Sequence, residues 1–180
     1  MYIELIKYFN FLMTPHEKFG DMPVCPFIKS ELNTMSIVDY YPDDKLSLLD
    51  VAYQHMREHS SVLIIQRGDN LEKINREKYQ SYINGELSKR NHTADLKSIC
   101  FSPYEKYTVA GVDTREHAPT FLINITTHNA LAEAHEKLKS SGYFRYFPEE
   151  DRKMLETQHQ LNLTKEDIET FEQISNIKQA

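Results

Sequence analysis

Cys25 is the side chain with the clearest potential for chemistry, because a thiolate is a good nucleophile. It follows a polar loop that contains His16 and Lys18. A cation beside a partly exposed thiol lowers its pKa, so Cys25 is a candidate nucleophile. The alternative is a small apolar side chain buried under the N-terminal segment, since cysteine is among the most buried residue types. Cys100 lies in an apolar run and is predicted to be part of the core.

A second candidate site is the charged loop Arg115–Pro119, which precedes an apolar run. Arg115 can bind a carboxylate or a phosphate through two parallel hydrogen bonds. His117 can transfer a proton near neutral pH. We expect the hydroxyls of Ser102 and Tyr104 to lie at the rim of the same site. The alternative is an ordinary solvated turn.

Metal and cofactor motifs are weak in this sequence. His55 and His59 are four residues apart in a predicted helix and can share a metal ion, but the sequence shows no third ligand. With five glycines in the chain, no phosphate-binding loop or dinucleotide fingerprint is visible. We therefore expect no cofactor and keep a histidine-based metal site as an alternative.

The composition is that of an ordinary globular protein. The 180 residues include 21 basic and 27 acidic side chains, for a net charge of −6, and no basic run with interleaved aromatic residues. No apolar stretch approaches the roughly 20 residues that span a bilayer. We therefore expect neither nucleic acid nor a membrane as partner. Two cysteines make no disulfide framework, which favours a reducing, cytoplasmic location.

Apolar periodicity and turn residues predict most of the elements. Predicted helices cover the first dozen residues, the segment after Asp43 or Asp44 to about Ser60, a stretch from Asp69 to about Arg90, His128–Ser140, and two acidic stretches that begin near Pro148 and Thr164. Predicted strands cover Ser36–Tyr41, Val62–Gln66, Lys97–Phe101 and Thr120–Ile125.

This order predicts a mixed four-stranded sheet. Right-handed crossovers make the first two strands parallel, and a hairpin supplies an antiparallel pair. We expect one domain over residues 1–142 and a helical extension over 143–180. The apolar face of the first helix is expected to dock on the core. The stripe Ile168–Ile177 packs either on the same chain or on a partner.

The succession of elements resembles the thioredoxin-like fold, a three-layer α/β sandwich. In that fold a cis proline precedes the fourth strand, and Pro119 is at the corresponding position in this chain. The sequence alone leaves cis and trans open for this bond. The resemblance implies that the loop before Pro119 faces the start of the first helix of the sheet, near Asp44, where an anion can bind. No cysteine stands there, so the dithiol chemistry of that family is not expected.

Short motifs also resemble those of a family of uncharacterised bacterial proteins with a Cys-Pro-Phe sequence after an N-terminal helix. The matching positions are Cys25-Pro26-Phe27, Phe101-Ser102-Pro103, Ala110-Gly111, and Arg115 with Pro119. That family has histidine where this chain has Ser102, and a longer connection before the arginine. The resemblance therefore supports the fold and the location of a site more than any chemistry.

Two functions are compatible with these patterns. In the first, Cys25, Arg115 and His117 are catalytic or ligand-contacting residues that act on a small anionic or thiol-bearing molecule, with Ser102, Tyr104, Pro119 and Asp44 completing its binding site. In the second, the protein is a non-enzymatic interaction module that binds a partner or a second copy through its terminal helices. The sequence does not decide whether the protein is an enzyme.

Overall fold

The computed structural model describes residues 2–90, 95–115, 117–156 and 161–178. A mixed four-stranded sheet forms its centre. The strands are β1 (Met35–Tyr40), β2 (Ser61–Gln66), β3 (Leu96–Phe101) and β4 (Leu122–Thr127), in the spatial order β1-β2-β4-β3. β1 and β2 are parallel, whereas β4 is antiparallel to both β2 and β3.

Helices and short ribbons surround this sheet. The helices are α1 (Tyr2–Met13), α2 (Ile28–Glu31), α3 (Leu48–His55), α4 (Arg76–Lys89), α5 (His128–Ser141), α6 (Glu149–Glu156) and α7 (Lys165–Ser175). Short 3₁₀ turns cover Glu17–Phe19, Leu71–Lys73 and Tyr143–Tyr146. Two-residue strands pair as Pro15–His16 with Met22–Pro23 and as Thr108–Val109 with Val112–Asp113.

The central strand β2 is buried along its whole length, because helices cover both faces of the sheet. Successive side chains of a strand point to opposite faces. Val62 and Ile64 therefore join the core under α3, α4 and α7. Leu63 and Ile65 join a second core under α1 and α2. The uninterrupted apolar run of β2 is thus explained by burial on both sides.

The predicted mixed α/β architecture and the four-stranded mixed sheet are confirmed. The parallel first pair and the antiparallel pair of β3 and β4 also form as predicted, with Leu96 opposite Thr127 and Phe101 opposite Leu122. Of the helices in the described parts of the chain, none combines the length and the apolar character that a membrane crossing needs.

Two helix starts differ from the prediction. The N-cap of α3 is Ser47 and not Asp43 or Asp44. The hydroxyl of Ser47 accepts a hydrogen bond from the backbone N–H of Asp50. The N-cap of α4 is Asn75 and not Asp69, because a 3₁₀ turn lies between these two residues. In both places a second capping residue lies a few positions downstream, and packing of the apolar face decides which one is used.

The C-terminal helix α7 packs on the sheet of the same chain. Phe171 is 2 % exposed and its ring lies 5.1 Å from that of Tyr79. The hydroxyl of Tyr40 donates to the carbonyl of Ser175 at 2.7 Å, and Gln66 donates to the carbonyl of Ile174 at the same distance. These contacts show that the predicted apolar stripe docks on the body of the protein. The division of the chain at residue 142 stays a prediction.

Replacement of Phe171 by alanine tests this docking. Because a buried aromatic ring is lost from the contact with Tyr79, we expect Phe171→Ala to lower the free energy of unfolding by about 3–5 kcal/mol in urea denaturation. The control is Gln173→Ala on the exposed side of α7, which should change it by less than about 0.5 kcal/mol. Equal effects of the two variants would contradict the docking.

A second prediction concerns pH and the start of α7. Hydrogen bonds from Lys78 and Thr164 lower the pKa of Asp167 to about 2. The carboxylate is therefore more acidic in the folded than in the unfolded chain, and its contribution is present above about pH 4 and lost as the pH falls towards 2. We expect Asp167→Asn to lower the stability by about 1 kcal/mol at pH 7. Urea denaturation of both proteins should converge near pH 2, and a constant difference between them would contradict the assignment.

Candidate functional site

A cavity of about 410 Å³ lies over the face of the sheet that carries α1 and α2. Side chains of α1, of the segment before α2, of β2–β4 and of α5 line it. Most of these side chains are apolar, and many are aromatic. The aromatic residues include Tyr8, Phe27, Phe101, Tyr107, Tyr143 and Phe144. An apolar cavity of this size, with few polar groups, is typical of a small-molecule site.

The centre of the cavity contains one amide, that of Asn124. Alternation along β4 directs Leu122, Asn124 and Thr126 towards the cavity, whereas Ile123 and Ile125 join the opposite core. The register places Asn124 between Leu63 of β2 and Ile99 of β3. Its Oδ1 atom is buried and has no hydrogen-bond partner among the described residues. A buried acceptor without a partner is costly, so a hydrogen bond from a bound molecule would stabilise this atom.

Tyr8 supplies a second polar atom without a partner. It lies on the buried side of α1 and is 2 % exposed, yet its hydroxyl makes no hydrogen bond within the described part of the chain. Burial raises the pKa of Tyr8, and the nearby positive charge of Arg115 opposes this rise. The hydroxyl is therefore neutral at physiological pH, and it can donate a hydrogen bond to a group in the cavity.

Arg115 does not line the cavity itself, but it packs against Tyr107, which does. The centre of its guanidinium lies 4.3 Å from the centroid of the Tyr107 ring. Arg115 is 6 % exposed, and its Nε atom has no hydrogen-bond partner among the described residues. Burial, with repulsion from Arg76, lowers the pKa of Arg115 to about 10. The side chain stays charged at neutral pH, in an environment that disfavours the charge.

The loop that carries Arg115 is shaped by local hydrogen bonds. The turn Ala110-Gly111 of the short ribbon has positive φ at both residues (50° and 76°), as a two-residue hairpin turn of this kind requires. The carboxylate of Asp113 accepts a hydrogen bond from the backbone N–H of Arg115 at 3.0 Å. The backbone N–H of Thr114 donates to the carbonyl of Tyr107. These bonds hold Arg115 and Tyr107 side by side.

Cys25 lines the cavity but is not activated as predicted. Burial raises the pKa of the Cys25 thiol, although the backbone N–H groups of Phe27 and Ile28 favour the thiolate. The expected cations bind elsewhere: the ammonium of Lys18 donates to the carbonyl of Gly111. The ring of His16 accepts a hydrogen bond from the backbone of Lys18. The structure therefore does not support a thiolate favoured by these two residues, and a reactive Cys25 stays a prediction.

The other residues of the predicted loop lie outside the cavity. His117 is exposed, has a positive φ of 72°, and packs edge-on against Phe11 of α1 with 5.6 Å between the rings. It borders a shallow depression with Lys7 and Asn10. Pro119 is partly buried, and the described residues contain no cis peptide bond, so the cis alternative for Pro119 is not confirmed. Glu116 lies outside the described residues.

The predicted rim residues are separated from the cavity. Ser102 is fully buried, and its hydroxyl accepts from the backbone N–H of Tyr104, whose own side chain is half exposed. Asp44 is exposed, and it contacts the backbone of Tyr41 and the side chain of Asn176 next to α7. Of the predicted site residues, Cys25 therefore lines the cavity and Arg115 lies next to it against Tyr107, whereas Ser102, Tyr104, Asp44 and His117 do not line it.

The histidine pair gives no metal site. His55 is hydrogen-bonded through Nδ1 to the hydroxyl of Ser36 at 2.8 Å, and His59 is exposed. Among the described side chains there is no group of three or more histidine, cysteine, aspartate or glutamate residues that can hold a metal ion. The histidine-based alternative thus lacks a three-ligand site in this part of the chain.

Tyr8, Tyr107 and Asn124 are important residues of the cavity that sequence reasoning missed. Tyr8 belongs to the apolar stripe of α1 and gives no separate signal. Asn124 does give one, because it is the single polar residue inside the apolar run Phe121–Ile125. In a strand buried on both faces, such a residue points either to a partner or to a cavity.

Comparisons of the chain with protein families, with curated proteins and with solved structures give no match. The resemblance to bacterial proteins with a Cys-Pro-Phe motif therefore stays a prediction.

The state of Cys25 can be measured directly. Since burial raises the pKa of its thiol, we expect Cys25 to react with iodoacetamide at pH 7 at least tenfold more slowly than a small free thiol, whose pKa is about 8.5. Denaturant should remove the difference. Cys25→Ser is the matched control, because the remaining Cys100 is 0 % exposed and should stay unmodified in the folded protein. A Cys25 reaction faster than that of the free thiol would establish an activated nucleophile instead.

Proposed function

We propose that this protein binds a small, largely apolar molecule in the cavity between α1, α2 and α5. The observation that carries the proposal is the pair of buried polar atoms, the Tyr8 hydroxyl and Asn124 Oδ1, that have no hydrogen-bond partner among the described residues and belong to side chains of a mostly apolar lining. A fully packed core avoids both empty volume and unpaired polar atoms, since each costs stability. A ligand that fills the cavity and contacts both atoms removes both costs.

Within this proposal Cys25 contacts the ligand and does not attack it. Its thiol lines the cavity, and its raised pKa keeps it protonated at neutral pH. Arg115 supplies positive charge near one end. Of the first function predicted from the sequence, we keep the binding of a small ligand, and we propose no catalytic step.

The thioredoxin-like arrangement and the cytoplasmic location belong to the same proposal. The first is supported by the order of elements and by the mixed sheet, with helices on both of its faces. The second is supported by two cysteines that are both free thiols.

The hypothesis of an interaction module receives less support. Its two docking surfaces were the apolar faces of the terminal helices, and most of both is used within the chain, although Ile3 and Ile6 of α1 are exposed. Leu5 and Phe9 of α1 are buried over the sheet, and Phe171 of α7 is buried on the other side.

A neutral dye tests the proposal. We expect Nile red to bind the protein saturably, with one molecule per chain, and to gain fluorescence. Ala134 of α5 lines the cavity, so Ala134→Phe should fill part of it and lower the affinity about tenfold or more. Ala132 lies on the exposed side of α5, and Ala132→Phe should leave the affinity unchanged. Absence of saturable binding, or the same loss in both variants, would refute a binding cavity at this place.

A further inference from the structure

We infer that the ligand of this cavity carries a carboxylate, which accepts a hydrogen bond from the Tyr8 hydroxyl and lies within the field of Arg115. This inference rests on the proposed function and adds the chemical class of the ligand: a monocarboxylic acid with an apolar body. It follows from the contents of one end of the cavity.

The Tyr8 hydroxyl is the donor at that end. It is buried, it lines the cavity, and no described residue accepts its proton. A hydrogen bond from a hydroxyl to a charged acceptor contributes more than one to a neutral acceptor, and it gains further strength where water is excluded. A carboxylate oxygen is therefore a better partner for Tyr8 than an alcohol or an ester.

Arg115 provides the charge that a carboxylate needs. Within the described residues it makes no ion pair, and its Nε atom has no acceptor; the nearby charge of Glu105 favours the cation, but Glu105 is shared with Arg76. Its neighbour Arg76 is compensated, because Arg76 pairs with Glu77 at 2.7 Å and approaches Glu105 at 3.7 Å. A buried cation without an anionic partner is unfavourable. An anion that enters the cavity beside Tyr107 reduces that cost.

The acidic groups near the cavity fix the orientation of the ligand. Asp113 is close to Tyr8, but its carboxylate accepts a hydrogen bond from the backbone N–H of Arg115. The charge of Arg115 changes the pKa of Tyr8 more than the charge of Asp113 does. Glu31 also lines the cavity, where its carboxylate accepts a hydrogen bond from Ser61 at the first residue of β2. Arg115 belongs to the loop before β4, which is antiparallel to β2, so it lies at the opposite end. Repulsion by Glu31 directs the carboxylate of the ligand away from it and towards Tyr8.

The remaining surface suits an apolar body. Leu63, Ile99 and Leu122 of the sheet face Leu131 and Leu138 of α5 across the cavity. Among the groups that line it, Cys25 is neutral at physiological pH because burial raises the pKa of its thiol. Glu31 and Arg115 thus lie at opposite ends, and the lining is otherwise mostly apolar, with the Asn124 amide, the His135 imidazole and the hydroxyls of Thr114 and Thr126 among its polar groups.

Calorimetric titration of the full chain with octanoate and with octanol tests the inference. The two molecules share a chain length and differ at the head group. We expect octanoate to bind about tenfold more tightly than octanol at pH 7. Tyr8→Phe and Arg115→Gln should each remove most of this preference and leave the affinity for octanol nearly unchanged.

The control is Lys7→Gln. It removes one positive charge from an exposed position on the helix that carries Tyr8, and it should keep the preference for octanoate. Tyr8→Phe removes a single oxygen, so it tests the inference even if Arg115→Gln does not fold. Circular dichroism of each variant verifies folding.

The outcomes separate the two proposals. If octanol binds as tightly as octanoate, the carboxylate inference is wrong while the binding cavity stands. If Lys7→Gln removes the preference as fully as Arg115→Gln does, only the net charge of the protein is responsible and the inference is again wrong. If the protein binds neither octanoate, octanol nor Nile red, both proposals fail.

Discussion

Burial of β2 on both faces is the constraint on which the rest of the structure depends. All six of its residues are buried, and it pairs with β1 on one side and with β4 on the other. Because successive side chains alternate, this one strand contributes to two separate cores. A shift of one residue in its register would exchange the side chains of the two cores. The positions of the helices that pack on these two cores are therefore tied to the register of β2.

The two cores are closed to different degrees. On one face, α4 and α7 cover the sheet with stacked aromatic residues, and Tyr79 and Phe121 are fully buried there. On the other face, α1 covers part of the sheet, whereas α5 has no buried residue at all. The apolar side chains of α5, such as Leu131 and Leu138, border the cavity instead of packing on the strands. The cavity therefore lies on one face of the sheet, between the strands and α5.

The sequence predicted the sheet well because its signals are local. A β-branched run such as Val62–Gln66 and a proline before an apolar run are visible within a few residues, and the pairing of β3 with β4 follows from their proximity in the chain. Helix starts were less predictable. Asp44 and Ser47 are both acceptable caps, and only the packing of the apolar residues of α3 selects Ser47.

The site was predicted in part, for a related reason. Cys25 and Arg115 were selected because cysteine and a loop arginine are conspicuous by type; Cys25 lines the cavity and Arg115 packs against Tyr107 beside it. Burial then determined their state: it raises the pKa of the thiol and lowers that of the guanidinium. Burial depends on packing between segments that are distant in sequence, such as the loop that carries Tyr107 and Arg115 and the helix α1. His117 was selected by its type as well, but its backbone directs it to the surface.

Asn124 lies on the face of the sheet over which α5 does not close. Its Oδ1 atom is already buried and has no partner among the described residues, and if α5 packed as tightly here as α4 does on the other face, leucine side chains would fill the space from which a ligand can supply a donor. Leaving such an atom unpaired in an apolar core costs about 1–3 kcal/mol. An apolar residue at this position of β4 would allow a dry core of the kind formed by Ile123 and Ile125 on the opposite face. The amide thus favours an open layer, and an open layer is what a ligand needs.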